Sequence, residues 1–127
     1  MRRMAGSPAT VLICDDEPSL RELIRISLDG PYDFVEADDG VESLDLARRV
    51  RPDVVILDMM MPRMTGLEVL RAIRQEEELA HTPVVVLTAQ PNTREQAIDA
   101  GADVVMVKPF EPQQIAAAVQ EVLAEQA

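Results

Sequence analysis

No apolar run in this chain approaches the roughly 20 residues needed to cross a bilayer, so nothing in it predicts a membrane span. A second cysteine is missing as well. Cys14 has no partner for an internal disulfide and lies in an apolar run, which predicts a small buried side chain and not a reactive thiol. The opening Met1-Arg2-Arg3-Met4-Ala5-Gly6-Ser7-Pro8 is basic but has no apolar segment ahead of its Gly-Ser-Pro turn. It cannot act as a secretory signal, and residues 1–8 are expected to form a flexible tail in a cytoplasmic protein. Cations are scarce: 12 basic against 23 acidic side chains leave a formal charge of -11, which repels a phosphate backbone and argues against direct nucleic-acid contact. Internal repeats, low-complexity stretches and linkers are also lacking, so residues 9–125 are expected to form a single domain. Only Ala124-Glu125-Gln126-Ala127 follows Leu123, and no output domain is expected within the chain.

What is present is the composition of a globular domain, 47% hydrophobic and 28% charged. A chain of 127 residues can bury roughly two thirds of its unfolded surface and needs no disulfide or structural metal to fold. Short β-branched or apolar runs alternate with helix-length amphipathic segments, the sequence form of repeated βα units around a parallel sheet. The runs are Thr10–Cys14, Asp33–Ala37, Val54–Leu57, Val84–Leu87 and Val104–Val107. Four are almost wholly apolar, as suits strands covered on both faces, whereas the second alternates polar and apolar as an edge strand does.

Caps and stripes place the helices between these runs. Pro18 suits the first turn of a helix with Leu20, Leu23, Ile24 and Leu28 on its apolar face, ending near Gly30-Pro31. A second follows Gly40 with Val41, Leu44 and Ala47, and a third uses Leu67, Leu70 and Ile73. A fourth begins near Asn92, which has capping-box spacing to Glu95, and stops at Gly101. The last carries Ile115, Ala118, Val119 and Val122.

Chemistry-bearing residues directly follow four of the five runs: Asp15-Asp16-Glu17, Asp58, Thr88 and Lys108-Pro109. In an open parallel α/β sheet the carboxyl ends of the strands share one edge, and right-handed crossovers gather these residues there. Acidic residues after strands also serve as helix caps, and each position taken alone supports that simpler role. The conjunction is what caps do not explain. Three aspartates so close repel one another and call for a proton or a cation, and Mg²⁺, a hard ion that works with a few carboxylates and phosphate oxygens, is the expected one. Mn²⁺ or Ca²⁺ could take its place in a crystal. Lys108 adds a mobile cation and Thr88 a hydroxyl donor, which together suit a transferring phosphoryl group and an aspartyl phosphate product.

The motifs Asp15-Asp16-Glu17-Pro18, Pro52-Asp53-Val54-Val55-Ile56-Leu57-Asp58-Met59-Met60-Met61-Pro62, Met64-Thr65-Gly66, Leu87-Thr88-Ala89, Ala100-Gly101-Ala102-Asp103 and Lys108-Pro109-Phe110 follow in order along Val11 to Leu123. In these the chain resembles the receiver domain of bacterial two-component response regulators. The resemblance implies a three-layer, flavodoxin-like (βα)5 fold with strand order 2-1-3-4-5. It implies that Asp58 accepts a phosphoryl group from a sensor histidine kinase, a phosphotransfer protein or a small acyl phosphate. By the same resemblance Asp16 ligates Mg²⁺ directly, Asp15 acts largely through water, and Asp58 and the Met60 carbonyl complete the protein ligands. Lys108 binds the phosphoryl group, Thr88 swings toward it, Ala89 leaves it room, and a cis Lys108–Pro109 peptide aims the amine into the site. Met60 and Gln90 hold positions that tune dephosphorylation. Neither is a good water-positioning base, so a phosphoryl lifetime of minutes or longer is expected.

One departure concerns the position three residues before the lysine, where the family usually has Tyr or Phe. Here it is Val105, short and stiff at χ1, so the usual aromatic swing is impossible. Implied partners are a downstream protein target or a fused output domain, with the chain a monomer or a weak homodimer through its fourth helix, fifth strand and fifth helix. Haloacid dehalogenase phosphatases also use a strand-end aspartate with Mg²⁺. They carry Asp-x-Asp after the first strand, whereas two residues beyond Asp58 stands Met60, which is no general acid. A pseudo-receiver, which keeps the fold as a binding module without phosphorylation, usually lacks the acidic pair, the acceptor or the lysine; all are retained here, and Val105 is the one feature that favours such a role.

Overall fold

The computed structural model describes residues 7–125. Among them the chain runs β1 (Ala9–Cys14), α1 (Pro18–Ser27), β2 (Tyr32–Ala37), α2 (Gly40–Val50), β3 (Val54–Asp58), α3 (Gly66–Gln75), β4 (Val84–Thr88), a 3₁₀ turn at Pro91–Thr93, α4 (Arg94–Asp99), β5 (Val104–Val107) and α5 (Pro112–Glu125). The strands form a parallel sheet in the order β2-β1-β3-β4-β5. The expected tail falls mostly on residues 1–6, outside the described residues, while Ser7 and Pro8 stand exposed ahead of β1.

Strand alternation divides the core into two layers. Leu12, Cys14, Val55, Leu57, Val84 and Val86 point to one face and pack with Leu44, Ala47, Val69, Leu70, Ile73 and Ala97 from α2, α3 and α4. Val11, Ile13, Val54, Ile56, Val85 and Leu87 point to the other and pack with Ile24 of α1 and Ile115, Val119 and Val122 of α5. Because both faces are covered, the central strands are apolar throughout. β2 is an edge strand, as its polar alternation implies. β5 is the other edge despite its apolar sequence, and its outermost residue Val107 is exposed. Cys14 is buried, and burial pushes its thiol pKa up to about 12, which removes it from thiolate chemistry.

Several boundaries differ from the sequence expectation. The first helix stops at Ser27, before Gly30, and β3 and β4 each run one residue further, so Asp58 and Thr88 are the last residues of their strands. The fourth helix does not start at Asn92. Pro91, Asn92 and Thr93 form a 3₁₀ turn, α4 begins at Arg94, and Asn92 and Glu95 make no capping box. A true capping box lies in α3, where the Thr65 hydroxyl accepts from the Glu68 N–H at 3.2 Å and the Glu68 carboxylate accepts from the Thr65 N–H at 2.9 Å. Such caps contribute about 1 kcal/mol and fix where the helix begins. Here they fix the turn that follows β3.

Candidate functional site

The carboxyl edge of the sheet gathers the chemistry. Leu57 and Asp58 end β3, and the chain is pinned on leaving it by the Met59 N–H donating to the Leu87 carbonyl at 3.0 Å. The Gly66 N–H then donates back to the Met59 carbonyl at 3.0 Å, which seats the start of α3 against the strand end. Only glycine permits this approach, since a Cβ on Gly66 would stand 2.1 Å from the Asp58 carbonyl oxygen. Across the sheet, the Lys108 N–H donates to the Thr88 carbonyl at 2.7 Å, tying the residue after β5 to the end of β4. The Lys108–Pro109 peptide bond is cis.

Asp15, Asp16 and Asp58 each offer a carboxylate oxygen within 4.8 Å of the others, with Asp15 and Asp58 buried and Asp16 exposed. Lys108 Nζ donates to Asp58 Oδ1 at 3.2 Å and lies 3.6 Å from Asp15 Oδ2. Asp15 Oδ1 accepts from the Glu17 N–H at 2.9 Å, but Asp15 Oδ2 is buried without a hydrogen-bond partner. Among the described residues, the partly exposed Lys108 ammonium is thus shared by the two buried carboxylates of a group of three.

The titration of these groups follows from that imbalance. Burial raises the Asp15 pKa above the usual carboxylate value, and repulsion from Asp58 and Asp16 adds to it against the opposing Glu17 N–H and Lys108. Burial likewise raises Asp58, with Lys108 and the Met60 N–H pulling the other way. Burial disfavours charge on Lys108, yet Asp58 and Asp15 together hold its pKa above the ordinary lysine value. A buried carboxylate oxygen with no donor costs about 1–3 kcal/mol, and a hard divalent cation held by oxygen ligands would remove that cost. The donor set fits Mg²⁺ on this ground.

The other expected site residues are spread around this centre. Thr88 ends β4, buried, and with Ala89, Gln90, Met59 and Met60 it lines a pocket of about 220 Å³ beside the acidic group. Met60 is 68% exposed, whereas Met59 and Met61 are buried. Val105 is half-buried on β5 and packs into the core layer under α2, α3 and α4. Sequence reading missed Arg21. Its guanidinium donates to the Asp15 carbonyl at 2.7 Å and to Glu36 Oε1 at 2.8 Å, bracing the turn that carries the acidic pair from α1 and β2. No local motif marks it, because both partners lie on other elements.

A flavodoxin-like sheet with acidic residues gathered at the end of its central strands is the architecture of chemotaxis-regulator-like signalling domains. The family model described as "Response regulator receiver domain" matches residues 11–120, and the chain belongs to that family. It is 42% identical over 119 residues to the response regulator MprA of a Mycobacterium species, covering 91% of this chain and 51% of that protein. It is 38% identical over 113 residues to the DNA-binding response regulator MtrA of Mycolicibacterium smegmatis, covering 87% of this chain and 48% of that protein. The chain thus spans about half the length of the curated relatives it matches. Among solved structures, the chemotaxis response regulator CheY4 of Vibrio cholerae superposes with a TM-score of 0.85 at 36% identity, over 91% of this chain and 99% of that one. The receiver domain of AraT from Geobacillus stearothermophilus gives 0.83 at 36% identity, over 93% and 95%. The chain is therefore a receiver domain of two-component phosphorelay signalling. Among the described residues, no helix is long and apolar enough to cross a membrane.

Proposed function

We propose that this receiver takes its phosphoryl group on Asp58, in a reaction that depends on Mg²⁺ held by Asp15, Asp16, Asp58 and the Met60 carbonyl. The observation that carries this reading is the Lys108 ammonium 3.2 Å from Asp58 Oδ1, beside an Asp15 oxygen that has no hydrogen-bond partner. Bound Mg²⁺ would supply positive charge to neutralise the carboxylates and the oxygens of the incoming group.

The chain's own residues do the rest. An Asp58 oxygen forms the new bond to phosphorus as the bond to the donor breaks, whether that is the nitrogen of a phosphohistidine or the oxygen of an acyl phosphate. The electron pair leaves with the donor. Lys108 follows charge from the carboxylate onto a phosphoryl oxygen, and its raised pKa keeps it protonated through the transfer. Ala89 leaves room beside Thr88 for the group to enter. Thr88 turns its hydroxyl toward a phosphoryl oxygen, which converts a covalent event into a movement of the loop after β4. Met60 and Gln90 carry no base, so the aspartyl phosphate is expected to last minutes or longer.

The partners of this reading are a sensor histidine kinase or phosphotransfer protein upstream, and a downstream protein target or fused output domain, in the cytoplasm. The -11 charge and sparse cations make the receiver itself a poor nucleic-acid ligand. Labelling of the parent and Asp58→Asn proteins with radiolabelled acetyl phosphate tests the reading. The parent should label only with Mg²⁺ and the variant not at all; equal labelling of both would refute it.

A further inference from the structure

We propose that Thr93 is a positioning residue for the phosphoryl site, a latch whose hydroxyl holds Thr88 turned away from Asp58 until the phosphoryl group arrives. The inference rests on the reading of Asp58 as acceptor and Thr88 as the residue that answers it.

The latch is built from four loop atoms. Thr88 Oγ1 lies 2.8 Å from Thr93 Oγ1, accepts from the Gln90 N–H at 3.1 Å and reaches the Gln90 carbonyl at 3.3 Å. Thr93 Oγ1 also reaches the Gln90 carbonyl, at 2.8 Å. The hydroxyl that the phosphoryl group must recruit is thus fully engaged by its own loop. Meanwhile the Thr88 backbone is fixed by the Lys108 N–H at its carbonyl. A β-branched side chain on a fixed backbone moves between discrete rotamers, so the hydroxyl has separate outward and inward states.

The loop has somewhere to go when the latch opens. Thr88, Ala89, Gln90 and Thr93 share the lining of the 220 Å³ pocket with Met59, Met60, Thr65, Leu67 and Gln96. The apolar side chains of Met59, Met60, Leu67 and Ala89 leave this space without a charged group. Pro91 opens the 3₁₀ turn that places Thr93 over Thr88, and its ring fixes φ at that point. The turn presents the Thr93 hydroxyl in place of the helix cap that Asn92 would have made.

Thr93 therefore competes with the phosphoryl group for one hydroxyl. Removing its hydrogen bond should shift the equilibrium toward the inward state by about fivefold, the equivalent of one neutral hydrogen bond. Thr93→Val keeps the shape of threonine without the hydroxyl, and Thr93→Ser keeps the hydroxyl. The test is titration with beryllofluoride and Mg²⁺, followed by amide shifts, on the parent, these two variants, Thr88→Ala and the Thr88→Ala/Thr93→Val double variant. Thr93→Val should bind about fivefold more tightly than the parent and Thr93→Ser like the parent. In the Thr88→Ala background the valine should change nothing, a result that a merely structural role for Thr93 would not give. The latch is overturned if Thr93→Val binds like the parent, or if its gain persists without Thr88. An Asp58→Asn protein that responds like the parent would instead overturn the acceptor reading on which the latch depends.

Discussion

Lys108 Nζ stands 3.2 Å from Asp58 Oδ1 although the two residues lie beyond opposite sides of β4 and are 50 positions apart in sequence. The contact joins a residue after an edge strand to the end of the central one. It is also the internal counter-charge for the acidic group, since Lys108 reaches Asp15 as well.

Loss of that charge should destabilise the metal-free protein. The lysine side chain is 21% exposed and the carboxylates are buried, so Lys108→Met would leave their repulsion unopposed in a poorly solvated place. The penalty for orphaning a fully buried ion is about 3–5 kcal/mol, and partial exposure reduces the expected loss here to about 2 kcal/mol. Urea unfolding in the presence of a chelator measures it. A variant as stable as the parent would mean that the amine does not offset the aspartates.

Substitution on the acidic side should act in the opposite direction. Asp15 is buried, one of its oxygens has no hydrogen-bond partner, and burial with Asp58 and Asp16 raises its folded pKa above the ordinary value. The native state then holds its proton to higher pH than the unfolded state does. Stability is unpenalised below the ordinary carboxylate pKa of about 4, falls as pH climbs to the raised folded value, and stays low beyond it. Asp15→Asn should thus stabilise the metal-free protein at pH 7 by about 1–2 kcal/mol, the cost of a poorly paired buried polar group. The gain should shrink toward zero as pH drops below the ordinary carboxylate range. A gain independent of pH would assign the effect to packing instead.

Magnesium should replace the missing counter-charge. At ten times its dissociation constant a ligand bound only by the native state adds about 1.4 kcal/mol, and for a domain of this size that raises Tm by about 5 °C. Asp16 is the exposed member of the trio, so Asp16→Asn removes one proposed ligand without disturbing the core. Its Mg²⁺-dependent rise in Tm should be less than half that of the parent, compared at equal ionic strength. In the parent the rise should fade at acid pH, as the ligands take protons. Equal rises in both proteins would exclude Asp16 as a ligand.

The sheet and its chemical edge were legible because strands covered on both faces are written as apolar runs, and residues ending those runs must share an edge. The finer switch geometry was not. Thr65 with Glu68 and Asn92 with Glu95 share one spacing, yet only the first pair caps a helix. What separates them is tertiary: Thr93 bonds Thr88 and Gln90, and the turn this requires delays α4 to Arg94. Arg21 was invisible for a related reason, since it supports the Asp15 carbonyl from another element. The left-handed backbone at Arg51 and Arg63, where glycine would be the usual sign, likewise left no trace in residue type.

Gly66 offers the sharpest test of how the fold positions its chemistry. Alanine is the better helix former, and at the first residue of α3 propensity alone would predict a small gain. The backbone predicts a loss. A Cβ there would stand 2.1 Å from the Asp58 carbonyl oxygen and 2.8 Å from the Met59 Cα, both main-chain atoms that cannot rotate aside. Relief requires α3 to withdraw from the end of β3, which strains the Gly66 N–H bond to the Met59 carbonyl and shifts the backbone on either side of Asp58. Overpacking of this kind costs about 1–3 kcal/mol, so Gly66→Ala should lower stability by about 2 kcal/mol. If the displaced segment is the one that sets the acceptor, phosphorylation by acetyl phosphate should slow by about tenfold or more, because small misplacements of reacting groups are expensive. Unfolding midpoints and labelling rates at a temperature where both proteins are folded separate the two effects. A variant as stable and as readily labelled as the parent would show that the helix can step back without moving Asp58.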